Sequence, residues 1–249
     1  MPRRPTGNLS RTFGRHGVDE AERRHRIRQV FQKVAPRYDL MNDLMSLGIH
    51  RLWKRRLAHG LAIRPGQTVL DLAGGTGDVA RLIAAGSHTT LVCDPSLEMM
   101  SVGRSRVEAP IAWLAAEGEA LPFADASIDA VTISFGIRNV TRMDVALREI
   151  LRILTPGGRF LCLEFSRPWA VIRPFYELFS ATVIPRLGAW VAREPAAYTY
   201  LIESIRRFPH QGEMKALLEE IGFSDVSYRN LSMGIACLHL AVKGHDVVP

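Results

Sequence analysis

Val69-Leu70-Asp71-Leu72-Ala73-Gly74-Gly75-Thr76-Gly77-Asp78 is the stretch from which the rest of the chain can be read. Thr68, Val69 and Leu70 form an apolar, β-branched run into Asp71. A turn of small residues follows, and helical spacing takes over at Val79. That succession predicts a buried strand, a glycine turn and a helix start. Glycine serves where the backbone needs positive φ or must touch a ligand, because a Cβ would clash. The turn, with Gly75 at its centre, is therefore expected to lie against a ligand.

Two ligands compete for that turn. Gly75-Thr76-Gly77-Asp78-Val79-Ala80 also reads as G-x-G-x-x-A, and Asp94 stands where a dinucleotide fold places its ribose-binding acid. A dinucleotide, however, sets its pyrophosphate on the helix N-terminus. Here Asp71 ends the strand and Asp78 sits in the first helical turn, so two carboxylates flank that position. They oppose a pyrophosphate and suit S-adenosylmethionine, which carries an ammonium and a sulfonium. Asp78 has a second use as a helix cap; Asp71, inside the strand, does not. The charge favours the sulfonium donor and leaves NAD as the alternative.

Outward from this turn the pattern alternates. Strands are predicted at 68–72, 89–93, 111–115, 128–134 and 159–164, with helices at 78–86, 96–107 and 141–154. Helix 211–221 and two runs, 225–231 and 235–242, joined at Ser232-Met233-Gly234, complete it as an antiparallel hairpin. Strands separated by helices of this length form a parallel sheet covered on both faces. Ligands bind at the C-terminal strand ends of such sheets. Asp71, Asp94, Glu117 and Ser134 all stand at or just beyond such ends. Asp94 can take a ribose diol, and Glu117 can approach an adenine amino group while Gly118 lets the backbone close on the ring. Ser134 can bond the ligand or its own backbone.

The 249 residues are 47% hydrophobic and 23% charged, ordinary values for a globular chain. No apolar run approaches the roughly 18 residues of a membrane span. The chain carries +7, but residues 1–28 hold eight Arg against three acids, while the remainder holds 24 basic and 22 acidic residues. Charge kept in one tail argues against a nucleic-acid partner, which would spread phosphate contacts over a working face. It fits a solvated tail or a segment beside an anionic membrane surface. Cys93, Cys162 and Cys237 fall in apolar runs without metal-ligand spacing, which predicts packing in a reducing compartment and no metal.

Residues 1–19 are read as a basic, flexible tail and 20–249 as one domain. Within it, 20–62 forms a helical cover over the C-terminal edge of the sheet. Leu52, Trp53 and Leu57 are placed on one face of its third helix, and Met41, Met45 and Trp53 are candidate substrate contacts. Residues 168–208 break the alternation with Trp169, Phe175, Tyr176, Phe179, Trp190, Tyr198, Tyr200 and Phe208 among Arg173, Arg186, Arg193, Arg206 and Arg207. Pro174, Pro185 and the charges exclude a span. This insertion after the fifth strand reads as a lid over a large apolar substrate or as a surface lying on lipid.

Tyr38-Asp39 through His50 and Trp53, and Arg152-Ile153-Leu154-Thr155-Pro156-Gly157-Gly158 through Glu164-Phe165-Ser166, resemble the two signatures of the ubiquinone/menaquinone biosynthesis C-methyltransferases. Ser134-Phe135-Gly136-Ile137-Arg138-Asn139-Val140 and Tyr198 to Ile205 are similar to further family segments. The likeness runs from about Thr12 to Lys243, with Glu117 where the family has Asp or Asn and Thr155 where it has Lys. The resemblance implies an α/β class I S-adenosylmethionine-dependent methyltransferase fold: a Rossmann-like, mostly parallel seven-stranded sheet with its last strand antiparallel. It implies S-adenosylmethionine as methyl donor and a polyprenylated quinol as acceptor (demethylmenaquinol, 2-polyprenyl-6-methoxy-1,4-benzoquinol, or both). Donor contacts carry over to Thr76, Asp94, Glu117, Gly118 and Ser134, beside Asp71 and Gly75 from the turn. Arg138 and Asn139 are the implied catalytic pair, Arg138 steadying a phenolate, with His50, Tyr38 and His210 as alternative bases. A cytoplasmic protein held peripherally at the inner membrane face, or on the matrix side in a mitochondrion, follows, with a homodimer or an assembly with other quinone enzymes as partners. The competing readings are a donor-binding scaffold without activity and a methyltransferase for another apolar small molecule.

Overall fold

The computed structural model describes residues 11–13, 16–35, 38–84, 86, 88–106, 108–179, 182 and 195–245, without the side chains of Met41, Leu44, Met45 and residues 195–199. Expectations resting on residues 1–10, on Met41 and Met45, on Pro185, Arg186, Trp190 and Arg193, and on the Tyr198 side chain lie outside the described residues.

Helices α1 (Glu20–Val34), α2 (Tyr38–Ser46) and α3 (Ile49–Gly60) precede strand β1 (Thr68–Leu72). Then come α4 (Asp78–Ile83), β2 (Thr89–Cys93), α5 (Leu97–Arg104), β3 (Ile111–Leu114) and β4 (Ile128–Ser134). Helix α6 (Met143–Ile153) leads into β5 (Leu154–Phe165). A helical stretch over 173–179, helices α7 (Pro195–Arg207) and α8 (Gln211–Ile221), and strands β6 (Phe223–Leu231) and β7 (Ala236–Lys243) complete the chain.

The sheet order is β3-β2-β1-β4-β5-β7-β6. The ladders from β3 to β5 are parallel, and β7 runs antiparallel to both β5 and β6. This is the class I methyltransferase arrangement expected above. Alternation along the strands decides which helix covers which face. Leu70, Leu72, Val131, Ile133, Phe160 and Cys162 turn toward α6 and α8, where Leu147, Ile150, Met214 and Leu218 meet them. Val69, Ala130, Leu161 and Leu163 turn toward α3 and α4, meeting Trp53, Leu57, Val79 and Ile83. With both faces covered, four of the five β1 positions are buried, Asp71 among them.

Four details depart from the sequence reading. Helix α3 packs on a sheet face instead of covering its edge, because the Trp53 and Leu57 stripe needs an apolar partner that the polar rim does not offer. Leu52 is 53% exposed; residues 53 and 57 share a helical face, while 52 points about a quarter-turn away. Strand β5 begins at Leu154, five residues before the expected 159. Its ladder pairs Ile128 with Leu154, breaks, and resumes at Ala130 with Arg159, and Pro156 and Gly157 (φ +76°) lie in the gap. Pro156 has no N–H to donate and Gly157 supplies the left-handed residue a bulge needs. Within the segment read as a tail, Thr12–Phe13 pairs with His16–Gly17. Phe13 stacks on Tyr200 with ring centroids 4.5 Å apart.

Candidate functional site

The order of strands reverses between β1 and β4, and a crevice opens there at their C-terminal ends. The residues just past those two ends, Ala73 (φ +51°) and Phe135 (φ +56°), both adopt left-handed backbone. Non-glycine residues pay for that conformation, and such strain gathers at working sites. A Cβ on Gly136 would lie 2.7 Å from Ala73 Cβ, so the two turns touch. Around them a cavity is lined by Asp71, Gly75, Thr76, Asp94, Glu117, Gly118, Ser134 and Asn139. The structure thus gathers seven candidate donor contacts and Asn139 in one place. Arg138 is buried and does not line this cavity.

Each rim carboxylate has a distinct setting. Asp94 Oδ2 accepts from the Gly75 N–H at 2.9 Å and Oδ1 from Ser96 N–H at 2.8 Å. Burial nonetheless pushes its carboxyl up to about 6. Asp71 is 1% exposed, and burial pushes it up to about 7 against bonds from the Thr132 hydroxyl and the Ala80 N–H. The capping roles are therefore the reverse of the expectation: Asp71 ties down the first turn of α4, whose N-cap, Gly77, has no side chain. Asp78 instead pairs with Lys54 at 3.1 Å. Burial raises Asp78, but Lys54 and Arg81 outweigh it and hold the carboxyl below its usual range.

The glycines also divide their work. Gly77 has φ +75°, and a Cβ there would meet the Trp113 ring at 2.6 Å, so packing alone demands glycine. At Gly118 a Cβ would meet only Ala146, Val140 and Leu72 at 3.7–3.9 Å. Among the described residues no protein atom forbids a side chain there. Ser134 Oγ is buried without a hydrogen-bond partner among the described residues. Its own backbone does not satisfy it there, so the second of the two roles expected for it is not seen.

Several site residues escaped the sequence reading. Arg24, Ile27, Arg28 and Phe31 line the cavity from α1 at helical spacing, where the sequence alone predicts only a helical cover over the sheet edge. Arg28 reaches Glu117 at 3.1 Å, so Glu117 meets any adenine already half engaged. Asp39 accepts from the Thr76 hydroxyl at 3.1 Å and pairs with Arg106. Arg23, counted above with the tail charge, is 2% exposed and donates to the carbonyls of Arg138, Asn139 and Val140. The alternative bases fare unequally. Tyr38 lines the cavity. His50 is enclosed with Nε2 on Asp43, and His210 caps α8.

Arg138 is held by a partner that the sequence reading quoted only as part of a signature. Its Nη1 lies 2.5 Å from Glu164 Oε1 and 2.8 Å from the Phe135 carbonyl. Asn139 Nδ2 donates to the same carbonyl at 3.4 Å, and Asn139 Oδ1 accepts from Tyr200 Oη at 3.0 Å.

Comparison with known proteins agrees with this geometry. The profile of the ubiE/COQ5 methyltransferase family matches residues 18–243. The chain is 61% identical over 241 residues to the ubiquinone/menaquinone biosynthesis C-methyltransferase UbiE of Rubrivivax gelatinosus, covering 97% of this chain and 96% of that one. It is 50% identical over 234 residues to the protein of the same name from Acidiphilium cryptum, covering 91% and 94%. Among solved structures, a SAM-dependent methyltransferase from Thermotoga maritima aligns with TM-score 0.63 at 20% identity, over 87% of this chain and 99% of that one. At that identity the likeness is one of fold.

Proposed function

The chain belongs to the ubiE/COQ5 methyltransferase family, and from that premise we propose that it methylates a ring carbon of a polyprenylated quinol, demethylmenaquinol and/or 2-polyprenyl-6-methoxy-1,4-benzoquinol, in quinone biosynthesis. S-adenosylmethionine, when bound, supplies an electrophilic methyl group. The observation that carries the reading is the cavity at the β1/β4 reversal, where Ser134 Oγ lacks a partner and Asp94 presents a carboxylate. Asp94 holds the ribose hydroxyls, Glu117 and Gly118 face the adenine, Gly75 and Thr76 shape the floor, and Asp71 fixes the α4 N-terminus beneath them.

Carbon methylation needs an electron-rich ring, and a quinol reaches that state when a hydroxyl ortho to the acceptor carbon loses its proton. Arg138, buried behind the cavity wall, supplies the positive charge that steadies the resulting oxyanion, and Asn139 orients the ring at the wall itself. Holding the reactants together in a water-poor site supplies much of the rate. The decisive measurement offers both reduced quinols with isotopically labelled donor and follows product by mass spectrometry. Label in a ring methyl group is expected; labelled donor left unconsumed with both quinols would refute the proposal. Arg138→Ala should lower kcat by about 10²-fold, the order set by losing one oxyanion-stabilising group, with donor affinity nearly unchanged.

The reading extends to location. Among the described residues no helix is long and apolar enough to cross a membrane. Trp169, Phe175 and Leu178 are exposed after β5, beside Arg173. That stretch is suited to lie on the inner face of a membrane holding a prenylated substrate. Co-flotation with anionic vesicles should drop when Trp169 and Phe175 are both changed to Ser; unchanged flotation would remove this stretch from the contact.

A further inference from the structure

Near the C-terminal ends of β4 and β5, three buried polar atoms have no hydrogen-bond partner among the described residues: Arg138 Nε, Glu164 Oε2 and Ser166 Oγ. Glu164 is 1% exposed. Its Oε1 is saturated, accepting from Arg138 Nη1 at 2.5 Å and from the Phe165 N–H at 2.9 Å. Its Oε2 is enclosed with nothing in hydrogen-bonding geometry among the described residues. A buried ion pair is a poor source of stability, since an apolar pair of similar volume often serves as well or better. A half-satisfied one needs another reason to exist.

We propose that Glu164 is a positioning residue for the methyl transfer, holding the Arg138 guanidinium inside the protein and, through it, Asn139 at the wall of the donor cavity. The inference rests on the reading of Arg138 as the group that steadies the acceptor's oxyanion. The chain of contacts is continuous. Glu164 fixes Arg138, both Arg138 and Asn139 bond the Phe135 carbonyl, and Asn139 faces the cavity with Tyr200 on its other side. Phe135 itself sits at φ +56°, a conformation that persists only when its surroundings hold it there. A planar guanidinium bound through one nitrogen to both a carboxylate and a carbonyl has little freedom to turn. Without the carboxylate charge, the buried cation would be driven toward solvent.

The charge on Glu164 is also its point of control. Burial raises the Glu164 carboxyl, opposed by the Arg138 charge and by the Phe165 and Arg138 N–H groups. The titratable groups facing the pair are Cys162 on the same strand, Cys237 opposite it on β7, Tyr200 from α7 and Tyr176 from the 173–179 stretch. Burial raises each of them, so all stay neutral while Glu164 titrates. Turnover at saturating donor should fall on the acid side as Glu164 takes up a proton.

The test compares the full-length wild type with Glu164→Gln, Glu164→Asp, Arg138→Ala and the Arg138→Ala/Glu164→Gln double variant. The quinol is whichever the wild type accepts, and S-adenosylhomocysteine binding is read by calorimetry. Glu164→Gln keeps the oxygen that Arg138 uses and removes only the charge. It should lower kcat about 10- to 100-fold, flatten the acid limb and leave S-adenosylhomocysteine affinity within about twofold. Glu164→Asp should restore the limb in part, and the double variant should be no slower than Arg138→Ala. Wild-type kcat and an unchanged acid limb in Glu164→Gln, with Arg138→Ala crippled, would overturn the inference alone. Wild-type kcat in Arg138→Ala would remove the reading beneath it. If Glu164→Gln does not fold, Glu164→Asp decides by the same measurements: a changed KM with unchanged kcat and limb overturns the inference.

Discussion

At Asp94 two backbone N–H groups hold a carboxylate that burial still pushes up to about 6, and at Asp71 the same cause reaches about 7. A donor with a net positive charge binds better to the ionised forms, so its binding should expel protons. The donor dissociation constant should therefore weaken as pH falls from 7 to 5. Calorimetry in two buffers of different ionisation enthalpy reads the protons directly, and a flat profile would contradict these settings. Asp94→Asn should weaken donor binding by about 1.5–3 kcal/mol, roughly the worth of hydrogen bonds to a charged group. The cysteines make the opposite kind of statement. Cys93, Cys162 and Cys237 are all buried, and burial pushes the thiols of Cys93 and Cys237 up to about 12. A thiol reagent at pH 8 should leave all three unlabelled in the native protein and label them once denaturant is added.

Helix α1 shows what an element contributes beyond its own turns. Arg23 reaches from it to three successive carbonyls, of Arg138, Asn139 and Val140, and so fixes the loop that carries the implied catalytic pair. Arg23→Met should cost at least about 2 kcal/mol of stability by stranding those buried acceptors. Donor affinity should fall with it, since Asn139 and Val140 line the cavity; thermal melts and calorimetry on one preparation separate the two effects. Much of the site was legible because it depends on alternation and strand ends. Asp94, Glu117 and Ser134 could be placed at the rim from the pattern alone. What escaped depends on partners remote in sequence. Arg23 looked like tail charge, since nothing local reveals carbonyls more than a hundred residues away. Glu164 stood out only as one residue of a signature, although its side chain is turned inward onto Arg138. The left-handed backbone at Ala73 and Phe135 left no trace, because neither position is a glycine. The packing duty of Gly77 against Trp113 left no trace either, because the two residues lie far apart in sequence.

For the whole molecule these local settings combine into one pH dependence. Asp71 and Asp94 bind protons more tightly folded than unfolded, where carboxyls titrate near 4. Their contribution to stability is fully present below about pH 4 and is lost as pH rises through about 6 and 7. Asp43 acts in the other sense: its hydrogen bond from Arg51 holds the carboxyl down to about 2, so its contribution is present above about pH 4 and lost toward pH 2. The donor-free protein should accordingly lose stability from these two buried acids between pH 5 and pH 7.5. Bound donor offsets that loss, because its positive charge is worth most when both carboxylates are charged, and ligand that binds only the folded state raises its apparent stability. The difference in Tm with and without S-adenosylmethionine should then widen from pH 5 to pH 7.5 at fixed donor concentration. Asp94→Asn should remove part of that widening, and Asp78→Asn, whose carboxylate already answers to Lys54, should leave most of it. A Tm difference that stays constant with pH would mean that the rim acids bind the donor without feeling its charge.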